Sequence, residues 1–130
     1  PITVKALQKE GPDTPFRVVD IERRDPRPDD VVIAIKAAGI CHSDIHTIRN
    51  EWGHAHFPLT VGHEIAGVVE AVGSEVTKYQ PGDRVGVGCL VNSCGHCEQC
   101  AAGEEQACLN GSVGTYAVSY THLRAHETLR

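Results

Sequence analysis

Cys94, Cys97, Cys100 and Cys108 form a C-x2-C-x2-C-x7-C run, four thiols within one short segment. Thiolates at this spacing can converge on one tetrahedral ion from within a single loop, and a closed shell of four cysteines is the usual form of a structural zinc site. The residues between them, Gly95, His96, Glu98, Gln99 and the 101–107 stretch with Gly103, carry too little apolar surface to order the segment by burial. The spacing therefore predicts a lobe over residues 88–110 that is folded by its metal. The competing reading is a pair of disulfides, which would suit a secreted chain. No signal-peptide pattern or long apolar run is visible, so zinc is the expectation.

A second constellation lies upstream. Cys41, His42, Ser43, Asp44 and His46 follow the strongest strand-like run, and Gly62-His63-Glu64 precedes the next. If those two strand ends adjoin, a thiolate, an imidazole and a carboxylate converge with fewer than four strong donors. That leaves room for a substrate, as in a catalytic zinc site. Spacing alone weighs this evenly against a blander arrangement in which Cys41 is a small buried apolar side chain and His63 a turn histidine with its hydrogen bonds met. Cys89, in an apolar context ahead of the cluster, reads as a core thiol. His54, His56 and His96 read as solvent-facing.

The elements that must hold these groups are mostly short strands. Residues 3–7, 16–21, 30–38, 65–72 and 84–87 are rich in Val and Ile and are bounded by turn residues, which suggests a mainly β chain with five strands in a barrel. Gly11-Pro12, residues 26–28, Gly73-Ser74 and Pro81-Gly82-Asp83 mark the turns. A short helix is predicted over residues 43–48 with Ser43 as its cap, and residues 50–58, including Trp52, read as an exposed or cleft-lining loop.

Apolar residues make up 41% of the 130-residue chain, enough for a modest core in one domain. With 12 Lys and Arg against 17 Asp and Glu the net charge is -5, and no basic block is present. Nucleic acid and membrane surfaces are therefore not expected partners. Six cysteines without a leader point to a reducing compartment, the cytoplasm. There is no methionine anywhere, including at position 1, so either the start has been trimmed or the gene record is incomplete.

Both constellations, in this order, resemble those of the zinc-dependent medium-chain alcohol dehydrogenases. Gly62-His63-Glu64-Ile65-Ala66-Gly67, with Gly73 and Val76, is similar to that family's zinc signature. Gly39-Ile40-Cys41-His42-Ser43-Asp44 resembles its first ligand motif, Pro81-Gly82-Asp83-Arg84-Val85 its barrel turn, and Cys94 to Cys108 its structural-zinc lobe. The resemblance covers roughly residues 2–117. Cys41 to Asp44, Glu51-Trp52 and Gly88-Cys89-Leu90-Val91 are most similar to the cinnamyl alcohol dehydrogenase branch, whose members usually reduce aldehydes with NADPH.

The resemblance implies a GroES-like, partly open barrel over residues 1–118, with one structural and one catalytic zinc. Cys94, Cys97, Cys100 and Cys108 would hold the first. Cys41 and His63 would ligate the second, with Glu64 beside it or entering its shell when no substrate is bound. Ser43 would accept the alcohol proton and His46 would pass it towards water through the cofactor ribose. Asp44 would orient the His63 ring, although a simple helix-start charge is its alternative role. His42 would approach the cofactor pyrophosphate, and Trp52 would line the substrate pocket or pack the loop. The implied partners are a small-molecule alcohol or aldehyde, NADP or NAD, and further copies of the full-length chain.

The family's catalytic domain continues further, supplies another cysteine to the catalytic zinc, and is joined to a Rossmann cofactor domain. The 130 residues contain no G-x-G-x-x-G, so they read as a truncated N-terminal part that is inactive by itself. Residues 119–130 fit no strand alternation and resemble translated adapter sequence, the alternative being a short amphipathic helix with Leu123 and Leu129 inward. Two rival readings are a free-standing zinc-binding interaction module and a GroES-like chaperonin subunit; the metal ligands argue against the second.

Overall fold

Val and Ile alternate with polar residues or fill short runs, and each of the five expected strands forms. The computed structural model describes residues 2–115. It contains β1 (Ile2–Lys9), β2 (Phe16–Arg23), β3 (Val31–Ala38), α1 (His42–Ile48), β4 (Ile65–Val72) and β5 (Arg84–Val87). Beyond them lie β6 (Leu90–Asn92), α2 (Glu98–Ala101), a 3-10 turn (Glu105–Ala107) and β7 (Val113–Gly114). Pairing is antiparallel throughout and falls into three open sheets, β1-β2, β3-β4-β5 and β6-β7. The segment 119–130, read above as adapter sequence, lies outside the described residues. No helix among the described residues is long and apolar enough to cross a membrane.

The chain divides into two compact units. The first comprises residues 1–25 and 39–62. Its β1-β2 hairpin runs in unbroken register from Ile2 opposite Arg23 to Lys9 opposite Phe16. Lys9 exchanges backbone hydrogen bonds of 2.9 and 2.8 Å with Leu59, which is 2% exposed and anchors the unit's apolar interior. The Lys9 side chain is also buried. Its ammonium donates to the carbonyls of Gly11 and Pro12 and lies 5.9 Å above the Phe16 ring, partners that offset the cost of taking a charge out of water.

Helix α1 starts one residue earlier than expected, and Cys41 rather than Ser43 is its N-cap. The reason is Asp44. Three residues after Cys41, its carboxylate reaches back and accepts the Cys41 backbone N–H at 2.8 Å, half of a capping box.

The second unit comprises, among the described residues, 26–38 and 63–115. Here β4 is the central strand between β3 and β5, and its Val69, 2% exposed, is the most deeply buried apolar side chain. The approach of β3 to β4 is close: a Cβ at Gly67 would stand 2.5 Å from the Ile33 side chain and 2.6 Å from the Ala34 carbonyl oxygen. Register shifts beside Ile33 and between Ile35 and Ala37 bend the pair. Pro81 and Gly82 occupy the middle of the turn before β5; Gly82 has φ +98, the conformation a type II turn requires at its third residue. Its N–H donates to the Val69 carbonyl at 2.9 Å, fixing the turn against β4.

Candidate metal centre

The second unit carries the four-cysteine lobe. Strand β6 leads into Ser93 and Cys94, Cys97 caps α2, α2 presents Cys100, and the 3-10 turn ends at Cys108. All six cysteines of the chain are unbridged. In the lobe the Cys94 and Cys100 sulfurs stand 3.9 Å apart and those of Cys97 and Cys108 4.0 Å apart. Those spacings exclude disulfides, whose sulfurs sit at about 2.05 Å. They fit zinc closely, since four Zn–S bonds of about 2.3 Å in a tetrahedron separate the sulfurs by about 3.8 Å. All four sulfurs lie within 4.8 Å of one another.

Electrostatics in the lobe favour thiolate at some positions and oppose it at others. Backbone N–H groups point at sulfur, from Cys94 to Cys108 at 3.4 Å and from Cys97 to Cys94 at 3.3 Å. The Cys94 thiol is lowered to about 5, first by a hydrogen bond from the Asn110 side chain and then by the His96 backbone. Cys97 is lowered as well, by the backbone of Cys100 and of Leu109. At Cys100 the Ser93 hydroxyl favours the thiolate but is outweighed by burial and the sulfurs of Cys97 and Cys108, so that thiol is pushed up to about 11. Four thiolates this close repel one another, and a bound dication removes the conflict. Donor type, spacing and charge all suit zinc.

In the first unit, α1 gathers the next set of chemical groups. The Ser43 hydroxyl donates to the Cys41 sulfur at 3.2 Å. One turn on, His46 Nδ1 is hydrogen-bonded to the Glu51 carboxylate, and that contact holds the Glu51 carboxyl below its ordinary value. The Glu51 N–H also returns to the His46 carbonyl at 3.0 Å, so the turn after the helix clamps the ring. The His42 ring meets His46 edge-on at 4.7 Å, Trp52 lies 5.1 Å from His46, and His54 stacks on Trp52 at 6.1 Å. Asp44 is buried, in the helix-start role given above.

His63 and Glu64 belong to the second unit, just before β4. His63 is 4% exposed, whereas Glu64 is exposed and its carboxylate lies 3.8 Å from the His63 ring. His54, His56 and His96 are solvent-facing, as expected. Cys89 is not a core thiol. It is exposed in the bend between β5 and β6, where its backbone carbonyl accepts the Thr115 N–H at 2.8 Å and its side chain is left outside. Sequence reasoning missed Ser93 and Asn110, the polar side chains that touch the lobe sulfurs. A single sequence offers no signal for either beyond their proximity to Cys94 and Cys108.

The family profile described as alcohol dehydrogenase GroES-like domain matches residues 27–129. The NADP-dependent alcohol dehydrogenase C of Mycobacterium bovis is 58% identical over 114 residues, covering 88% of this chain and 33% of the relative. Among solved structures, a cinnamyl alcohol dehydrogenase of Sorghum bicolor superposes with a TM-score of 0.82 at 39% identity, over 95% of this chain and 35% of that one. The CAD of Helicobacter pylori, complexed with NADP(H), gives a TM-score of 0.81 at 44% identity, over 89% of this chain and 34% of that one. The mainly β architecture is thus the GroES-like fold of these proteins, and the chain spans about a third of the length of the curated relatives it matches.

Proposed function

We propose that this chain, which belongs to the alcohol dehydrogenase GroES-like domain family, is the N-terminal part of a zinc-dependent enzyme that interconverts small alcohols and aldehydes with NADP(H). The observation that carries the reading is the arrangement on α1, where a hydroxyl sits on the Cys41 sulfur and a carboxylate-held imidazole follows one turn later. In this proposal Cys41, His63 and Glu64 hold a catalytic zinc, and Cys94, Cys97, Cys100 and Cys108 a structural one. The catalytic ion would act as a Lewis acid towards the substrate oxygen.

The remaining steps belong to the chain's own side chains. Ser43 hydrogen-bonds the substrate oxygen and receives the alcohol proton. His46, with Nδ1 engaged by Glu51, has Nε2 left to take the proton onward to water. Asp44 orients the His63 ring in addition to its helix-capping bond. His42 lies towards the cofactor pyrophosphate, and the half-exposed Trp52 offers an apolar wall to the substrate. In this reading residues 1–118 are the N-terminal part of the GroES-like catalytic domain, with the zinc lobe over residues 88–110, and 119–130 are a non-native tail. A cytoplasmic setting and a homo-oligomeric full-length enzyme complete the reading.

A chimaera tests it. Residues 2–115 replace the matching third of the mycobacterial relative, and NADPH oxidation with aldehyde is followed by absorbance. Activity that is lost on Cys41→Ala while the lobe zinc remains supports the proposal. A folded chimaera whose activity survives Cys41→Ala contradicts it.

A further inference from the structure

The turn that closes the lobe carries a reactive dipeptide. The sequence has three asparagines, each followed by a different residue: Asn50-Glu51, Asn92-Ser93 and Asn110-Gly111. Glycine leaves the backbone nitrogen after Asn110 unhindered, the condition under which that nitrogen attacks the preceding side-chain amide most readily. Asn110 is exposed, so water has access to it. Its immediate setting nevertheless opposes attack. The Gly111 N–H, the would-be nucleophile, donates to the Cys108 carbonyl at 3.0 Å. The Asn110 side chain is engaged with the Cys94 sulfur, and the Leu109 backbone with the Cys97 sulfur. Each restraint ends on a cysteine of the metal cluster.

We infer that Asn110-Gly111 is a deamidation site gated by the lobe's metal: closed while the four sulfurs are held together, open once the ion leaves. With the ion gone, little else holds the turn, because Cys108 is the one buried side chain among residues 108–111 and Leu109 is 64% exposed. The Gly111 nitrogen then bonds to the Asn110 side-chain carbonyl carbon. The bond from that carbon to the amide nitrogen breaks, and ammonia departs with the Gly111 proton. Water opens the resulting succinimide at either carbonyl, leaving aspartate or isoaspartate and consuming no oxidant or reductant. The product carries a carboxylate where an amide N–H had faced the Cys94 sulfur. A hydrogen-bond donor at the Cys94 sulfur is thereby replaced by an acceptor that cannot make that contact, and re-entry of the ion is weakened. Loss of zinc would thereby be converted into lasting damage.

The test uses the 130-residue chain loaded with zinc, its metal content measured first. Half is incubated with a chelator at mildly alkaline pH and half without. Peptide mass spectrometry follows the conversion of amide to acid at Asn110, with Asn50 and Asn92 as internal controls. Conversion at Asn110 should be faster by about tenfold or more without metal, the suppression that about 1.4 kcal/mol of turn closure provides. Equal rates with and without zinc would overturn the gating. A chain that took up no zinc would overturn the lobe's assignment and the gating with it. Asn110→Asp, as the product analogue, should hold zinc less tightly against a chromophoric chelator; zinc retention equal to that of the unmodified chain would overturn the consequence.

Discussion

Replacing Cys97 with serine should strip the lobe of its metal and of its order together. Cys97 has three roles in the structure: its sulfur faces Cys108 at 4.0 Å, its N–H donates to the Cys94 sulfur at 3.3 Å, and it caps α2. The backbone bond survives Cys97→Ser, so the loss falls on the ligand. Structural zinc is worth about 10–16 kcal/mol in small metal-folded domains, and one ligand of four accounts for roughly a quarter of that, about 2.5–4 kcal/mol. Affinity should therefore fall by about 100- to 1000-fold. No apolar core compensates, since α2 and the 3-10 turn bury no residue of their own. Competition against a chromophoric chelator reads the affinity, and amide hydrogen exchange over residues 93–112 reads the order. If Cys97→Ser keeps its zinc affinity, or keeps the segment protected after losing the ion, the metal is not what folds the lobe.

Three further outcomes follow from other parts of the molecule. Gly67→Ala should destabilise the second unit by about 1–3 kcal/mol, because the new methyl overlaps the Ile33 side chain and the Ala34 carbonyl; a denaturation midpoint unchanged from the parent would refute that close approach. The lobe's zinc affinity should rise with pH, and its uptake of the first, tightly held ion at neutral pH should release fewer than four protons. Cys94, lowered from 9.0 to about 5, has mostly lost its proton beforehand, while Cys100, pushed up to about 11, must still surrender one. The sign for the metal-free lobe agrees: the depressed Cys94 favours order above its ordinary value, and that contribution is lost as the pH falls through about 5. Calorimetry in buffers of different ionisation enthalpy counts the protons, and a count of four would contradict the shifts. Finally, the 130 residues alone should not oxidise NADPH with cinnamaldehyde, since holding nicotinamide against substrate is worth about 7–11 kcal/mol and no G-x-G-x-x-G is present among them. Turnover that is abolished by Cys41→Ala would show the opposite.

The strands were legible because burial dictates their pattern. Val31–Ala38 and Ile65–Val72 pair along their length, and each reads in the sequence as a Val- and Ile-rich run. Strand β6, with three residues, and β7, with two, are too short to show a period, and α2 forms around ligand positions rather than on an apolar face. The helix start was misplaced by one residue because the decisive bond runs from Asp44 back to Cys41, a reciprocal cap with no serine or threonine in it. Cys89 was misread because an apolar neighbourhood in sequence became a bend in space. The metal cluster was legible in full, since the spacing of Cys94, Cys97, Cys100 and Cys108 already constrains them to one loop. Its supporting contacts from Ser93 and Asn110 arise from the fold of the lobe and have no counterpart in spacing.

Zinc stoichiometry tests the central claim most directly. The purified chain is titrated with zinc and its bound metal counted by native mass spectrometry, alongside Cys41→Ala and Cys97→Ser. Two ions should bind, the first tightly in the four-cysteine lobe and the second more weakly at Cys41, His63 and Glu64, where only three protein donors are proposed. Cys41→Ala should remove the weak ion alone and Cys97→Ser the tight one. A chain that saturates with one ion, unaffected by Cys41→Ala, would contradict the account and leave the four-cysteine lobe as a zinc module with no second metal to serve.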